Sequence, residues 1–260
     1  QCTVQDGWQC DNSQPPSVCT EITELCDDDG DCPGSGLCNL ASGGCYRPED
    51  VFWVDCTAAC PGTGALSDPF CALGDAVAAA GNGQIVALAG GTCDEAVSFA
   101  VSGVTLLGKN NATIQSSTCP TVQVTAAVTL RDVAIQGTGG VGGGVAVVDS
   151  GALVMTGVQV QAGDCIGVDC SGRSCEVRRS RILENSEGGI RVVDSDFILV
   201  NNIVALNGSN QSAFGGLSID ALAANPALVI NNTIADNSGQ GGGNAKGGVW
   251  CQSAAAVVNT

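Results

Sequence analysis

The chain has 260 residues, 9 of them basic and 26 acidic, for a net charge of −17, and it contains no histidine. Nucleic acid and anionic membranes both select clustered positive charge, so neither fits as the main partner, and the commonest general base and metal ligand is missing. Aromatic residues make up 3% of the chain while glycine occupies 37 positions, so a core has to be assembled from many thin layers of Val, Ile, Leu and Ala.

Sixteen cysteines without histidine argue for disulfides rather than zinc. Disulfides in turn argue for an extracellular or cell-surface protein. No apolar run approaches the roughly 18 residues of a membrane-spanning helix. The chain does not open on a signal peptide, so an exported protein is expected here in processed form.

Residues 1–48 carry seven of the cysteines, Cys2, Cys10, Cys19, Cys26, Cys32, Cys38 and Cys45, amid Asp, Gly, Pro and Ser. So little apolar material cannot bury a core, and the segment is expected to be held by disulfides. The run CDDDGDCPGSGLCNLASGGC permits a pairing of Cys26 with Cys38 and Cys32 with Cys45, although spacing alone does not determine connectivity. Asp27, Asp28, Asp29 and Asp31 crowd around Gly30. Oxygen ligands about a glycine turn are a candidate calcium site. The distal glutamate of an EF-hand is absent, and a solvated acidic turn is the competing reading.

The stretch CTVQDGWQCDNSQPPSVC, through its Gly7-Trp8-x-Cys10 and Pro16-Ser17-x-Cys19 groups, resembles the second half of the cysteine-rich repeat of myxobacterial surface proteins. The resemblance covers about 20 residues and implies a bacterial surface location.

From residue 49 the composition changes. Phe52-Trp53-Val54-Asp55 reads as a strand, PGTGALSDPFC as a turn, residues 73–80 as a short helix stopped by Gly81, and residues 84–88 and 103–108 as the next strands. This order resembles the entry of right-handed parallel β-helix proteins of the pectate-lyase kind. It implies a helix that covers the open end of the stack. The resemblance also implies, through its C-x-G-T-G…P-F-C pattern, that Cys60 pairs with Cys71, which leaves Cys93 for Cys56.

Internal periodicity carries the fold. Leu130, Met155, Val177, Leu199 and Val229 recur at intervals of 25, 22, 22 and 30 residues. Parallel columns hold Ile135, Val160, Ile182, Val204 and Ile234, and Val145, Val168, Ile190, Leu217 and Val249. The expectation is an all-β chain: a disulfide-rich segment over 1–48, then a short capping helix and a right-handed parallel β-helix over 49–260. Its coils have two or three strands each. The terminal Ala256-Val-Val-Asn-Thr260 repeats the start of VINNT, so the last coil is expected to be truncated.

The same alignment places paired asparagines, as in LVNNIVALN and VINNTIADN, where one strand bends into the next. Asparagine tolerates the left-handed conformation and bonds backbone groups that a bend leaves unpaired. Like residues in successive coils also bond one another. Asn202 and Asn232 are therefore expected to form an inward structural ladder, with sugar binding as the competing reading. Cys170 and Cys251 share an inward column but lie about 14 Å apart by strand spacing, too far to bond. Cys170 and Cys175 both point inward across SGRS and are expected to pair.

Candidate chemistry is sparse. Arg173, Arg178, Arg179, Arg181 and Arg191 fall in one stretch near Glu176, Glu184, Glu187, Asp194 and Asp196. The lyase resemblance would use such a basic residue for proton abstraction beside carboxylate-held calcium, whereas the plain reading is a solvated face of paired charges. Asp149 and Asp194 occupy equivalent positions two coils apart, roughly 10 Å by strand spacing, beyond the usual separation of paired catalytic carboxylates. Sequons at Asn111, Asn207, Asn210 and Asn231 matter only in a eukaryotic secretory path. The expected function is a non-catalytic, structural or adhesive role at a bacterial cell surface. Calcium is a candidate cofactor, and carbohydrate, other surface proteins or further copies are candidate partners. The alternative is a lyase or glycoside hydrolase acting on acidic polysaccharide.

Overall fold

The computed structural model describes residues 8–11, 18–21, 26, 28–39, 44–220, 227–239 and 246–251. Asp27 and the terminal segment 256–260 lie outside them, as do the side chains of Cys2, Cys10 and Cys19.

Strand residues alternate inward and outward, as period-two geometry requires. In Ala127–Arg131, Val128 and Leu130 are buried while Ala127 and Arg131 are exposed. Because the alternation repeats in every coil, like strands stack in parallel and their inward side chains join into columns. Three sheets result. The first has eight strands, from Val51–Val54 to Ala227–Ile230. The second runs from Thr92–Asp94 to Thr233–Ala235, and the third, of seven strands, from Val97–Phe99 to Val249–Cys251.

The register joins Leu130, Met155, Val177, Leu199 and Val229 in one column. It does the same for the columns through Ile135 and Val145. The fold is thus a parallel β-solenoid with three strands per coil, and its core is one continuous cluster of small apolar side chains. Each such side chain, fully buried, contributes about 1.5–3 kcal/mol. The first column extends upstream through Leu106 and Val86 to Phe52, so parallel pairing starts at Val51.

The helix α1 spans Leu73–Ala79, and its buried face, Leu73, Ala76 and Val77, joins the core. Ala72 at its N-cap makes no side-chain hydrogen bond. Its first amides donate instead to the Glu95 carboxylate, Gly74 N–H at 3.0 Å. The cap therefore arrives from the bend that follows Thr92–Asp94, and it satisfies donors that a helix leaves open.

The amino-terminal segment is small but not coreless. Leu37, 1% exposed, packs with Val51, Trp53, Ile85, Ala87 and Leu107 on the outer face of the first sheet. Trp53 Nε1 donates to Ser35 O at 2.7 Å, and Lys109 Nζ meets Asp29 Oδ2 at 2.5 Å. Parallel sheets are commonly covered on both faces, and here the disulfide-rich segment covers the first rungs. Further upstream, Trp8–Asp11 and Val18–Glu21 form an antiparallel pair with Cys10 opposite Cys19. Among the described residues no helix is long and apolar enough to cross a membrane.

Candidate functional site

The bends carry most of the buried polar chemistry. At the first bend of successive coils, Asp132, Gly157, Arg179, Asn201 and Asn231 all have φ between 47° and 67°. At the second, Ala162, Glu184, Leu206 and Asp236 have φ between 54° and 60°. The left-handed residue turns the chain, and the residue after it points inward. The two asparagines of each pair therefore divide the work. Asn201 and Asn231 supply the left-handed conformation and are exposed, whereas Asn202 and Asn232 are buried.

Asn202 Oδ1 accepts from Ser180 N–H at 3.0 Å, while its Nδ2 donates to Val177 O at 2.8 Å and to Asn232 Oδ1 at 2.9 Å. Asn232 repeats the arrangement one coil on, accepting from Asn202 N–H at 2.9 Å and donating to Leu199 O at 2.8 Å. A second ladder of Asn185, Asn207 and Asn237 stands at the other bend. The sequence signal for it was the recurrence of Asn eight positions after Val177, Leu199 and Val229. Asn207 is wholly buried with Nδ2 bonded to Ile182 O and Asn237 Oδ1, so its sequon is closed to modification in the folded chain. At the head of this ladder Asn185 Oδ1 has no partner among the described residues. One coil back stands Gly163, where a Cβ would lie 2.3 Å from Gly142 O.

Disulfides join Cys26 to Cys38, Cys32 to Cys45, Cys56 to Cys93, Cys60 to Cys71 and Cys170 to Cys175, with Cα separations of 5.3–6.0 Å. Cys119–Cys165 is a sixth, Cα–Cα 5.9 Å, which sequence reasoning missed. Both cysteines stand three residues before a third-sheet column residue, but two coils apart. At the corresponding place in the intervening coil is Gly142, with φ 81°, where a Cβ would sit 2.1 Å from Ser116 O. With no side chain there, the cysteines bridge across it. Cys251 is in the inward column of Cys170 but is exposed, and it has no disulfide partner among the described residues.

Around Gly30, the Asp28 side chain caps the short 3-10 turn Asp29–Asp31, accepting from Gly30 N–H at 2.7 Å, and Asp31 accepts from Asp28 N–H. Asp29 accepts from Cys38 N–H at 2.9 Å besides pairing with Lys109. Among the described residues, Asp28, Asp29 and Asp31 do not bring three carboxylate oxygens within 4.8 Å of one another.

Arg178, Arg179, Arg181 and Arg191 do not converge. Arg178 Nε donates to Glu176 Oε1 on the first sheet. Arg191 forms a two-point pair with Asp169 on the third, Nε–Oδ1 2.9 Å and Nη2–Oδ2 2.5 Å, and this pairing raises its pKa further above the usual arginine value. Arg179 sits at a bend with φ 47°, and Arg181 is exposed on the second sheet. Asp149 and Asp194 occupy left-handed positions at the third bend. On the second sheet, Gln115, Gln136 and Gln161 form an outward amide ladder.

A groove of about 390 Å³ crosses the outer face of the first sheet. Ala152, Val154 and Ile198 give it an apolar floor, with Glu176 and Asp196 among its polar lining. No protein-family model matches the chain, and no curated protein or solved structure matches it.

Proposed function

We propose that this chain is a secreted or cell-surface β-helix with a structural or adhesive role rather than a catalytic one. The observation that carries the reading is where its polar groups are used. The recurrent amides are bonded within the bends, and Arg178 and Arg191 already hold carboxylates. A guanidinium whose pKa is raised by Asp169 keeps its proton, the opposite of what proton abstraction needs. Six disulfides among the described residues suit an oxidising location. The cysteine-rich resemblance supports a bacterial surface.

Calcium belongs to the same proposal, with Asp27, Asp28, Asp29 and Asp31 as candidate ligands. Divalent ions would offset the self-repulsion of a −17 chain. Calorimetric titration of calcium into the protein and into Asp28→Ala tests it. The groove favours the second reading, a polysaccharide lyase, because Glu176 lines it and Arg178 holds Glu176. Incubation with acidic and neutral polysaccharides, with and without calcium, separates the two. Retention on a glycan or cell surface without cleavage supports the non-catalytic role. Release of unsaturated or reducing ends, abolished by Arg178→Ala, overturns it.

A further inference from the structure

The turn PGTGALSDPFC joins the strand Val51–Val54 to α1, and it contains the one Asp–Pro bond in the sequence, Asp68–Pro69. The loop is pinned on both sides of that bond. Trp53 N–H donates to Gly64 O at 2.8 Å, and Phe70 N–H donates to Trp53 O at 2.9 Å. Cys60–Cys71 closes the ends of the loop. Gly62 lies so near the bond that a Cβ there would stand 1.6 Å from Pro69 O.

Donors converge on the Asp68 carbonyl. Thr63 N–H and Gly64 N–H each reach Asp68 O at 3.0 Å, and the Thr63 hydroxyl lies 3.4 Å from it. The same hydroxyl meets Asp68 Oδ2 at 2.9 Å. It therefore holds the side-chain carboxyl on the side of its own backbone carbonyl. Asp68 is exposed, so water reaches the bond.

We propose that this turn is a self-hydrolysis site, at which the Asp68 carboxyl cuts the Asp68–Pro69 peptide bond. A side-chain oxygen attacks the backbone carbonyl carbon of the same residue and closes a cyclic anhydride. Negative charge develops on Asp68 O during the attack, where two amides already point. Donors fixed in advance at such an oxygen are a large source of acceleration in acyl transfer. The carboxyl proton passes to the Pro69 nitrogen, the C–N bond breaks, and Pro69 leaves as a secondary amine. That nitrogen carries two alkyl substituents and takes up a proton more readily than an ordinary amide nitrogen. One water then opens the anhydride and leaves Asp68 with two carboxyl groups. A peptide bond and a water are consumed, an acid and an amine are formed, and nothing is oxidised or reduced. Nucleophile and carbonyl belong to one residue, so no encounter has to be arranged.

The cut leaves the assembly in place. Residues 1–68 and 69–260 stay joined by Cys60–Cys71, by Cys56–Cys93 and by the pairing of Val51–Val54 with Ile85–Leu88. The disulfide-rich segment thus becomes a separate chain held on the solenoid.

The oxidised protein, incubated in mild acid and weighed by mass spectrometry before and after reduction and unfolding, tests the proposal. The oxidised mass is expected to rise by one water, and reduction is expected to release two pieces divided between Asp68 and Pro69. The native chain is expected to cut at least about tenfold faster than the reduced, urea-unfolded chain at the same pH. Asp68→Glu moves the carboxyl one methylene away and is expected to slow cutting at least about tenfold, with an unchanged far-UV spectrum. Thr63→Val removes the hydroxyl and keeps both amides. It is expected to slow cutting in the native chain and to leave the rate in the unfolded chain unaltered. Should Asp68→Glu fail to fold, Thr63→Val decides in its place. An uncut native chain, a native rate no greater than the unfolded one, or an undiminished rate in the deciding variant overturns the proposal.

Discussion

Asn202→Ala is expected to be among the most damaging single changes in the chain, and its neighbour Asn201→Ala among the milder ones. In the native bend Asn202 Oδ1 takes the Ser180 N–H, and Nδ2 serves Val177 O and Asn232 Oδ1. Asn202 is 0% exposed, so water cannot replace these bonds. Truncation to alanine leaves one buried donor and one buried acceptor of the backbone without partners, each costing about 1–3 kcal/mol. Asn232 Oδ1 keeps its bond to Asn202 N–H, so its loss is partial. The sum is about 2–6 kcal/mol. Asn201 makes its contribution through φ 58° alone, and alanine in that conformation costs about 1–2 kcal/mol. Urea denaturation of both variants with disulfides intact, followed by far-UV circular dichroism and by hydrogen exchange around Val177 and Ser180, measures the difference. Equal destabilisation by the two substitutions would refute the division of labour between the paired asparagines.

Other outcomes follow from the same structure. Leu206 is a 54%-exposed leucine held at φ 60°, so Leu206→Asn should stabilise the protein by up to about 1 kcal/mol; a lower denaturation midpoint would count against the bend assignment. Gly142→Ala should impair formation of Cys119–Cys165, because the new Cβ collides with Ser116 O, and a normal disulfide map of the variant would contradict this. Under reductant, amides of residues 28–39 should lose exchange protection before those of the coils, since the solenoid buries a core without its disulfides; simultaneous loss would refute the order. The Asp55 carboxylate is held below the usual range by the Thr57 hydroxyl and then by the Thr57 N–H. A depressed folded pKa contributes stability that is present above the unfolded value and lost as pH falls through the folded one. The stability gap between the protein and Asp55→Asn should therefore close in acid, and a gap that widens there would show the sign to be wrong.

The coil itself was legible in the sequence. Period-two alternation decides which side chains turn inward, and repetition every 22–30 residues decides which of them stack. Both follow from local strand geometry, so aligned columns through Leu130, Ile135 and Val145 predict register directly. The paired asparagines were likewise legible as bend residues. The same alignment expected the second member of each pair, Asn202 and Asn232, to face inward, and the structure buries both. Tertiary structure alone decided the contacts that cross the repeat. Glu95 caps α1, Cys119 reaches Cys165 over Gly142, and Leu37 lies on the outer face of the first rungs. Each of these joins residues whose separation bears no relation to one coil. Column alignment reports the inward ladder, whereas what rests on the outside of a sheet is set by shape and apolar surface brought together only when the chain has folded.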